Sequence, residues 1–273
     1  MAMVSRSVPQ DPNRSVGDQR LHSELVRESF EPLADYYARS KAHTDRVSLE
    51  RLRELAEPSP DMIALDVATG PGHTAMELAP HLDFAVGLDL TRTMLKKAKE
   101  LSVGRGISNL SLVQGNVYSL PFDDGTFDIL ACRRAAHHFP DLDGAVRSMC
   151  RVLREGGVMV IEDRSVPEDD FVDELMNRLD VLHDRSHVRD YRPSEWEAVM
   201  HRAGMRVVAV EPFSRVLPLT SLTDNALPAD RAEIERTVRG LDSDGRAKMG
   251  VEEREGAVHI KHWYVLIKAR KSP

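Results

Sequence analysis

Leu65-Asp66-Val67-Ala68-Thr69-Gly70-Pro71-Gly72-His73-Thr74-Ala75 is the stretch that decides the fold. An apolar run, residues 62–68, leads into two glycines, and a helical pattern opens behind them over 74–82. A strand that ends in a glycine turn and feeds a helix is the opening of a βαβ unit. Glycines at such a turn let the backbone bend tightly and come close to a ligand. The helix start behind them offers free N–H groups and a partial positive charge. A second strand follows over 84–90 and carries Asp89 near its end. A carboxylate there can accept hydrogen bonds from both hydroxyls of a ribose. Loop, strand and acid in this order predict a nucleoside site at the carboxyl ends of the strands. The bland alternative is a tight turn beside a surface carboxylate.

Working outward, the alternation continues. A helix is expected over 92–101, with Lys96, Lys97 and Lys99 on its wet side. Strands follow over 110–114 and 127–132, then a helix over 142–153 closed by Gly156 and Gly157, then a strand over 158–162. Short apolar strands alternating with helices imply a parallel sheet covered on both faces. Leu110, Leu112 and Ile129 are expected in the core. The last third departs from the pattern. Helices are expected over 171–182 and 194–203, the second with Ser194 and Glu197 as a capping box and Gly204 beyond its end. A strand over 206–211, a helix over 229–238 and a long strand over 259–269 complete it. No strand signal separates the last two strands, so they are expected to pair antiparallel.

At the other end, residues 1–20 are polar, contain Pro9, Pro12 and Gly17, and read as a disordered tail. Residues 21–57 read as helical, and Pro58 and Pro60 stop them. The expected fold is therefore α/β: one domain over 21–273, Rossmann-like and doubly wound. It has a mostly parallel seven-strand sheet, a helical cover over 21–57 and an antiparallel last strand. Residues 164–203 and 215–258 are expected to be lid or interface insertions.

Composition narrows the function. The 273 residues are 30% charged with a net charge of -7, so they lack the basic excess of a general nucleic-acid binder. No apolar run is long enough for a membrane span, and the N-terminal stretch has no apolar signal region. A cytoplasmic location is expected. Cys132 and Cys150 form no CxxC pair, which leaves neither a disulfide framework nor a cysteine-rich zinc site. Asp123 and Asp124 sit in a Pro-Phe-Asp-Asp-Gly turn, and turn chemistry explains them better than a metal does.

Two nucleoside cofactors compete. Gly70, Gly72 and Ala75 satisfy G-x-G-x-x-G/A, the dinucleotide pattern. Asp66 argues against it, because a carboxylate facing the loop repels a pyrophosphate and attracts the cationic methionine end of S-adenosylmethionine.

Five segments together resemble a class I S-adenosylmethionine-dependent methyltransferase. They are LDVATGPG (65–72), VGLDLTRTML (86–95), QGNVYSLPFDDGTFDIL (114–130), CRRAAHHFPD (132–141) and RVLREGGVMVIED (151–163). The similarity spans roughly residues 30–215 and is narrowest to the ubiquinone/menaquinone biosynthesis C-methyltransferases and their small-molecule relatives. The resemblance implies that Asp66, Ala68, Thr69, Gly70 and Gly72 form the first motif around the methionine. It implies that Asp89 holds the ribose, with Leu90 and Met94 against the adenine. Gly115, Asn116 and Val117 would meet the adenine edge, and Arg133 would lie beside the methionine. Tyr37, on the helical cover, would approach the methionine as well. The family's first-motif glycine is Ala68 here, and its acidic adenine contact is Asn116, whose oxygen can still accept from an amino group.

Methyl transfer from a sulfonium needs alignment and, for some acceptors, removal of a proton; it requires no metal. His137 and His138 follow the fourth strand, and either could be a general base or line the acceptor. The alternative is that one packs and the other caps a helix. A second cluster holds His183, Asp184, Arg185, His187, Arg189 and Tyr191. His183 and His187 would suit a metal if helical, with Asp184 adjacent, but no third ligand is evident; a substrate cover is the better reading and no metal is expected. Tyr36 could pack beside Tyr37. Trp263 and Tyr264 are expected in the core or an interface, and His259 and His262 on an exposed face. The expected partner is a small-molecule methyl acceptor, and a homodimer is compatible with the sequence. An NAD-dependent oxidoreductase and a catalytically silent nucleoside binder are the rival readings.

Overall fold

The computed structural model describes residues 16–272. The helical cover is α1 (Val16–Phe30), α2 (Ala34–Arg39) and α3 (Arg46–Ala56). Most of the expected N-terminal tail lies outside the described residues, but its last part does not, because α1 starts at Val16. Leu49, Leu52 and Leu55 recur at three-residue spacing on α3 and are buried, so this helix lies against the sheet.

The alternating part runs β1 (Ile63–Val67), α4 (His73–Leu78), β2 (Phe84–Asp89), α5 (Arg92–Gly104), β3 (Leu110–Gln114), β4 (Phe127–Arg133), α6 (Leu142–Val152) and β5 (Leu153–Ser165). Then come α7 (Asp170–His183), α8 (Pro193–Arg202), β6 (Met205–Pro218), α9 (Thr220–Thr223), α10 (Pro228–Arg239), α11 (Ser243–Lys248), β7 (Glu252–Arg254) and β8 (Ala257–Lys271). The strands stand in the order β3-β2-β1-β4-β5-β8-β6, with β7 paired onto β8. β1 to β5 are parallel, and β8 runs antiparallel to both β5 and β6. The order reverses between β1 and β4, and that switch point is where ligands of open α/β sheets sit.

β4 shows why these strands are apolar throughout. Leu130 and Cys132 enter the core on one face, and Ile129 and Ala131 enter the core on the other. With both faces covered, period-2 alternation disappears. A third cluster joins α7, α9, α10, α11 and the near end of β8 through Val172, Met176, Leu222, Ile234, Met249 and Ile260. The α7 part of the first expected insertion thus packs on the second, while α8 joins the main core through Trp196, Val199 and Met200.

Several local expectations are corrected. Gly156 and Gly157 lie inside β5, which follows α6 without a loop. β6 and β8 are longer than expected, and β7 intervenes between them. The carboxylate at the start of α8 is Glu195, which accepts from the Arg192 N–H, whereas Ser194 is held by Glu168. Gly204 does take the left-handed conformation just past α8, at φ 77°. His262 is buried within the fold, bonded to Ser221 and Arg164, and is not on an exposed face.

Candidate active site

An open cavity of about 1040 Å³ lies at the carboxyl ends of β1, β2, β3 and β4. Its floor is the glycine loop. Ala68, Gly70 and Gly72 all take positive φ, at 54°, 52° and 84°. Such angles are open to glycine and strain any residue with a Cβ, so Ala68 is the one strained member. A Cβ placed on Gly70 would meet nothing within 4 Å, so the loop backbone there faces open space. Gly72 caps α4 and lets it approach α5: a Cβ there would stand 3.0 Å from the Ala98 Cβ.

Two buried carboxylates hold the loop in this shape. Asp66, beneath it, accepts from the Thr69 hydroxyl at 2.5 Å and from the Ala75 N–H at 3.0 Å. Burial pushes its carboxyl up to about 7 against those hydrogen bonds. Asp89 accepts from the Gly70 N–H at 2.7 Å and the Thr91 N–H at 2.8 Å, and burial raises its carboxyl as well. Asp66 takes both bonds on Oδ2 and keeps Oδ1 open, whereas each Asp89 oxygen accepts one backbone N–H and keeps capacity for a ligand hydroxyl.

Leu90, Met94, Gly115, Asn116 and Val117 continue the wall. Gly115 is needed because a Cβ would come within 2.8 Å of Leu88. The Asn116 oxygen accepts from the Tyr118 N–H, and its amide donates to Ser23 on α1 at 3.2 Å. Asn116 therefore ties the helical cover to the β3 end of the sheet.

Arg133 does the same at the β4 end. It donates to the His43 carbonyl at 3.0 Å, the Ala42 carbonyl at 3.3 Å and the Ser48 hydroxyl at 2.9 Å. Glu162, almost fully buried, receives both Arg133 at 3.2 Å and Arg134 at 3.0 Å. Burial pushes the Glu162 carboxyl up, but the two guanidiniums overcome that and hold it below its ordinary value.

The two adjacent histidines part company. His138 lines the cavity, edge-on to Phe30 at 5.0 Å. Its Nδ1 faces the Ser186 carbonyl at 3.0 Å, an atom that only accepts. Nδ1 therefore bears a hydrogen, and in the neutral ring the lone pair is on Nε2. His137 lies outside the cavity wall, with Nδ1 on Asp163 at 2.5 Å and its backbone N–H on the same carboxylate at 3.1 Å. Burial lowers its basicity well below the ordinary histidine value.

The expected residues Tyr37, Ala68, Thr69, Gly70, Asp89, Leu90, Met94, Gly115, Asn116, Val117, Arg133 and His138 thus share one cavity. Asp66 and Gly72 shape it from beneath, and His137 stands behind it. Tyr36 points outward, half exposed. Neither 164–203 nor 215–258 contributes a wall residue among the described residues, so a lid role for them has no wall contact behind it. His183 and His187 share no helix, because α7 ends at His183, which bonds the Leu222 carbonyl. Sequence reading missed the roof: His22, Ser23 and Val26 on α1, with His43. Their signal was present, since positions 19, 23, 26 and 30 recur at helical spacing on one face.

The fold and this cavity define a class. Residues 65–161 match the methyltransferase domain family. Over 203 residues the chain is 34% identical to the uncharacterized methyltransferase YcgJ of Bacillus subtilis (strain 168), covering 74% of this chain and 80% of that one. The crystal structure of YcgJ superposes with a TM-score of 0.78 at 29% identity, covering 83% of this chain and 99% of that one. The ubiquinone/menaquinone biosynthesis C-methyltransferase UbiE of Shewanella sediminis (strain HAW-EB3) is 37% identical over 122 residues, 43% of this chain and 48% of that one. The chain belongs to the methyltransferase family and is an S-adenosylmethionine-dependent methyltransferase.

Proposed function

We propose that the protein transfers a methyl group to a small-molecule acceptor bound under α1 and α2, and that the site residues divide the work by position. The observation that carries this is that the loop from Ala68 to Pro71, Asp89 and His138 line one cavity at the sheet switch point, with Asp66 holding the loop from beneath. Bound S-adenosylmethionine supplies an electrophilic methyl group on a sulfonium. The loop amides suit the carboxylate of its methionine end, and Asp66, when ionised, suits the ammonium or sulfonium and would repel a pyrophosphate. Asp89 is placed to accept from ribose hydroxyls, and Leu90, Met94 and Val117 give the base an apolar slot.

Phe30, Tyr37, Tyr118 and Phe139 make the remaining wall aromatic, which favours an acceptor with an apolar body. His138 Nε2 offers it a lone pair. It can accept a hydrogen bond from an acceptor hydroxyl or amine and orient it in line, or take its proton. Held by Arg133 and Asn116, the cover keeps bulk water from the reacting atoms.

The test is calorimetric titration with S-adenosylhomocysteine, with NAD in parallel, on the wild type and on Asp89→Asn. Micromolar binding of S-adenosylhomocysteine, weakened at least roughly tenfold in the variant, is expected, since a lost charged hydrogen bond costs about 1.5–3 kcal/mol. Binding of NAD in its place, or of neither, overturns the reading.

A further inference from the structure

Behind His137 and His138, three buried polar atoms have no hydrogen-bond partner: Asp180 Oδ1, His187 Nε2 and Asp190 Oδ1. Their side chains are sealed, at 2%, 2% and 0% exposure. Ligand atoms from the three residues all lie within 4.8 Å of one another. His187 Nε2 stands 3.8 Å from Asp190 Oδ1. That is too long for a hydrogen bond. It is close to the spacing of two ligands that share one ion at roughly 2.1 Å each.

The rest of the cluster is arranged as the surroundings of an ion would be. Arg164 takes the outer oxygens, donating to Asp180 Oδ2 at 2.5 Å and Asp190 Oδ2 at 3.3 Å. The inner oxygens are left facing His187. The Asp190 N–H is fixed on the Asn177 oxygen at 2.6 Å, so the ligand loop is held from behind. Charge points the same way. Asp180 and Asp190 face the single guanidinium of Arg164, which leaves one negative charge in excess for a bound cation to offset.

We propose that Asp180, His187 and Asp190 form a buried site for a divalent transition cation, zinc foremost. One imidazole with two carboxylates suits zinc or manganese; an all-oxygen cage would suit calcium or magnesium. The site is structural. It joins α7, through Asp180, to the loop 184–192. That loop in turn carries the Val188 and Arg189 N–H groups onto the His137 carbonyl, at 2.8 and 3.2 Å, and Ser186 onto His138. The cation would therefore set the position of His138 without touching the cavity. The competing arrangement is a proton shared between the two aspartates. The site rests on these residues alone and stands apart from the choice of methyl acceptor.

The test uses the full chain, stripped with a chelator, dialysed and then titrated with zinc chloride while bound metal is measured by mass spectrometry and unfolding by thermal scan. About one zinc per chain and a higher Tm are expected, with both lost in Asp190→Asn. Cobalt(II) gives a second readout that does not depend on that variant folding well. A visible absorption band should appear in the wild type and vanish in His187→Gln, which keeps both carboxylates. A folded wild type that takes up less than about a tenth of an equivalent, with no cobalt band, overturns the site in favour of the shared proton. Equal uptake by wild type and both variants also overturns it, as adventitious surface binding.

Discussion

Glu162→Gln is the perturbation that most directly probes how the roof is held over the cavity. Glu162 lies at the end of β5 with 1% of its side chain exposed, and it is the carboxylate that faces both Arg133 and Arg134. Those side chains are 3% and 6% exposed, so neither can recover water when the charge opposite is removed. Breaking a buried ion pair from one side costs about 3–5 kcal/mol. For a domain of this size each kcal/mol moves Tm by roughly 2–4 °C, so a fall of about 6–20 °C is expected. Glu50→Gln is the control, because its pair with Arg46 is a surface contact worth roughly 0–1 kcal/mol. The effect should also be local: Arg133 loses the anchor that aims it at Ala42, His43 and Ser48, so the α2–α3 segment becomes the first site of limited proteolysis. The pH dependence has a definite sign. The folded carboxyl sits below its ordinary 4.5, so its stabilisation is present above that value and lost as pH falls through the lower one. A Tm within about 2 °C of wild type, with unchanged proteolysis, would refute the account of Glu162 as the central charge of the roof.

Three further outcomes follow from the loop. Ala68→Gly should raise Tm slightly or leave it unchanged, because about 1–2 kcal/mol of left-handed strain is released against about 0.4–1 kcal/mol of added chain entropy; a clear fall would show that Ala68 is unstrained. Gly72→Ala should lose about 2–4 kcal/mol in denaturant unfolding, from the same strain plus the 3.0 Å approach to Ala98, and an unchanged midpoint would contradict the packing described. Asp66→Asn should gain on the wild type as pH rises. The unfolded carboxyl ionises near 3.8 and the folded one near 7, so wild-type stability is lost across that window, by up to about 4 kcal/mol. Urea midpoints of both proteins at pH 5 and pH 8 test this, and a gap independent of pH counts against a protonated Asp66.

How much of this could be read beforehand depends on the range of the interactions. β1 to β4 were legible because strands covered on both faces are short apolar runs, and because Gly70 and Gly72 punctuate the first turn. β5, β6 and β8 were read short: Arg154 and Glu155 at one end of β5, and Arg215 in β6, look like loop residues until a partner strand is known. His262 was misread, although Ile260 and Tyr264 flank it at period two and both are buried. The cavity floor was legible through Asp66, the loop and Asp89, which lie close together in sequence. Its ties were not. Arg133 to Ser48, Asn116 to Ser23 and His138 to Ser186 depend on separate elements meeting in space, and no spacing announces them. Ala68 is the opposite case, since a glycine expected at that position marks a backbone that takes positive φ.

The place of β8 bears on how the chain can acquire this structure. It lies between β5 and β6, yet it follows both in sequence, and it pairs Ser165 with Trp263 and Met205 with Lys271. While the chain emerges from a ribosome, the parallel half can assemble as its helices appear. β6, fourteen residues long, has no neighbour until β8 is made. Until then the nascent protein exposes the side of β5 and a detached strand, both open to foreign pairing. Any shortened product that stops ahead of Ala257 would leave that gap permanently open, so such products are expected to aggregate even though the whole cavity wall has already been synthesised.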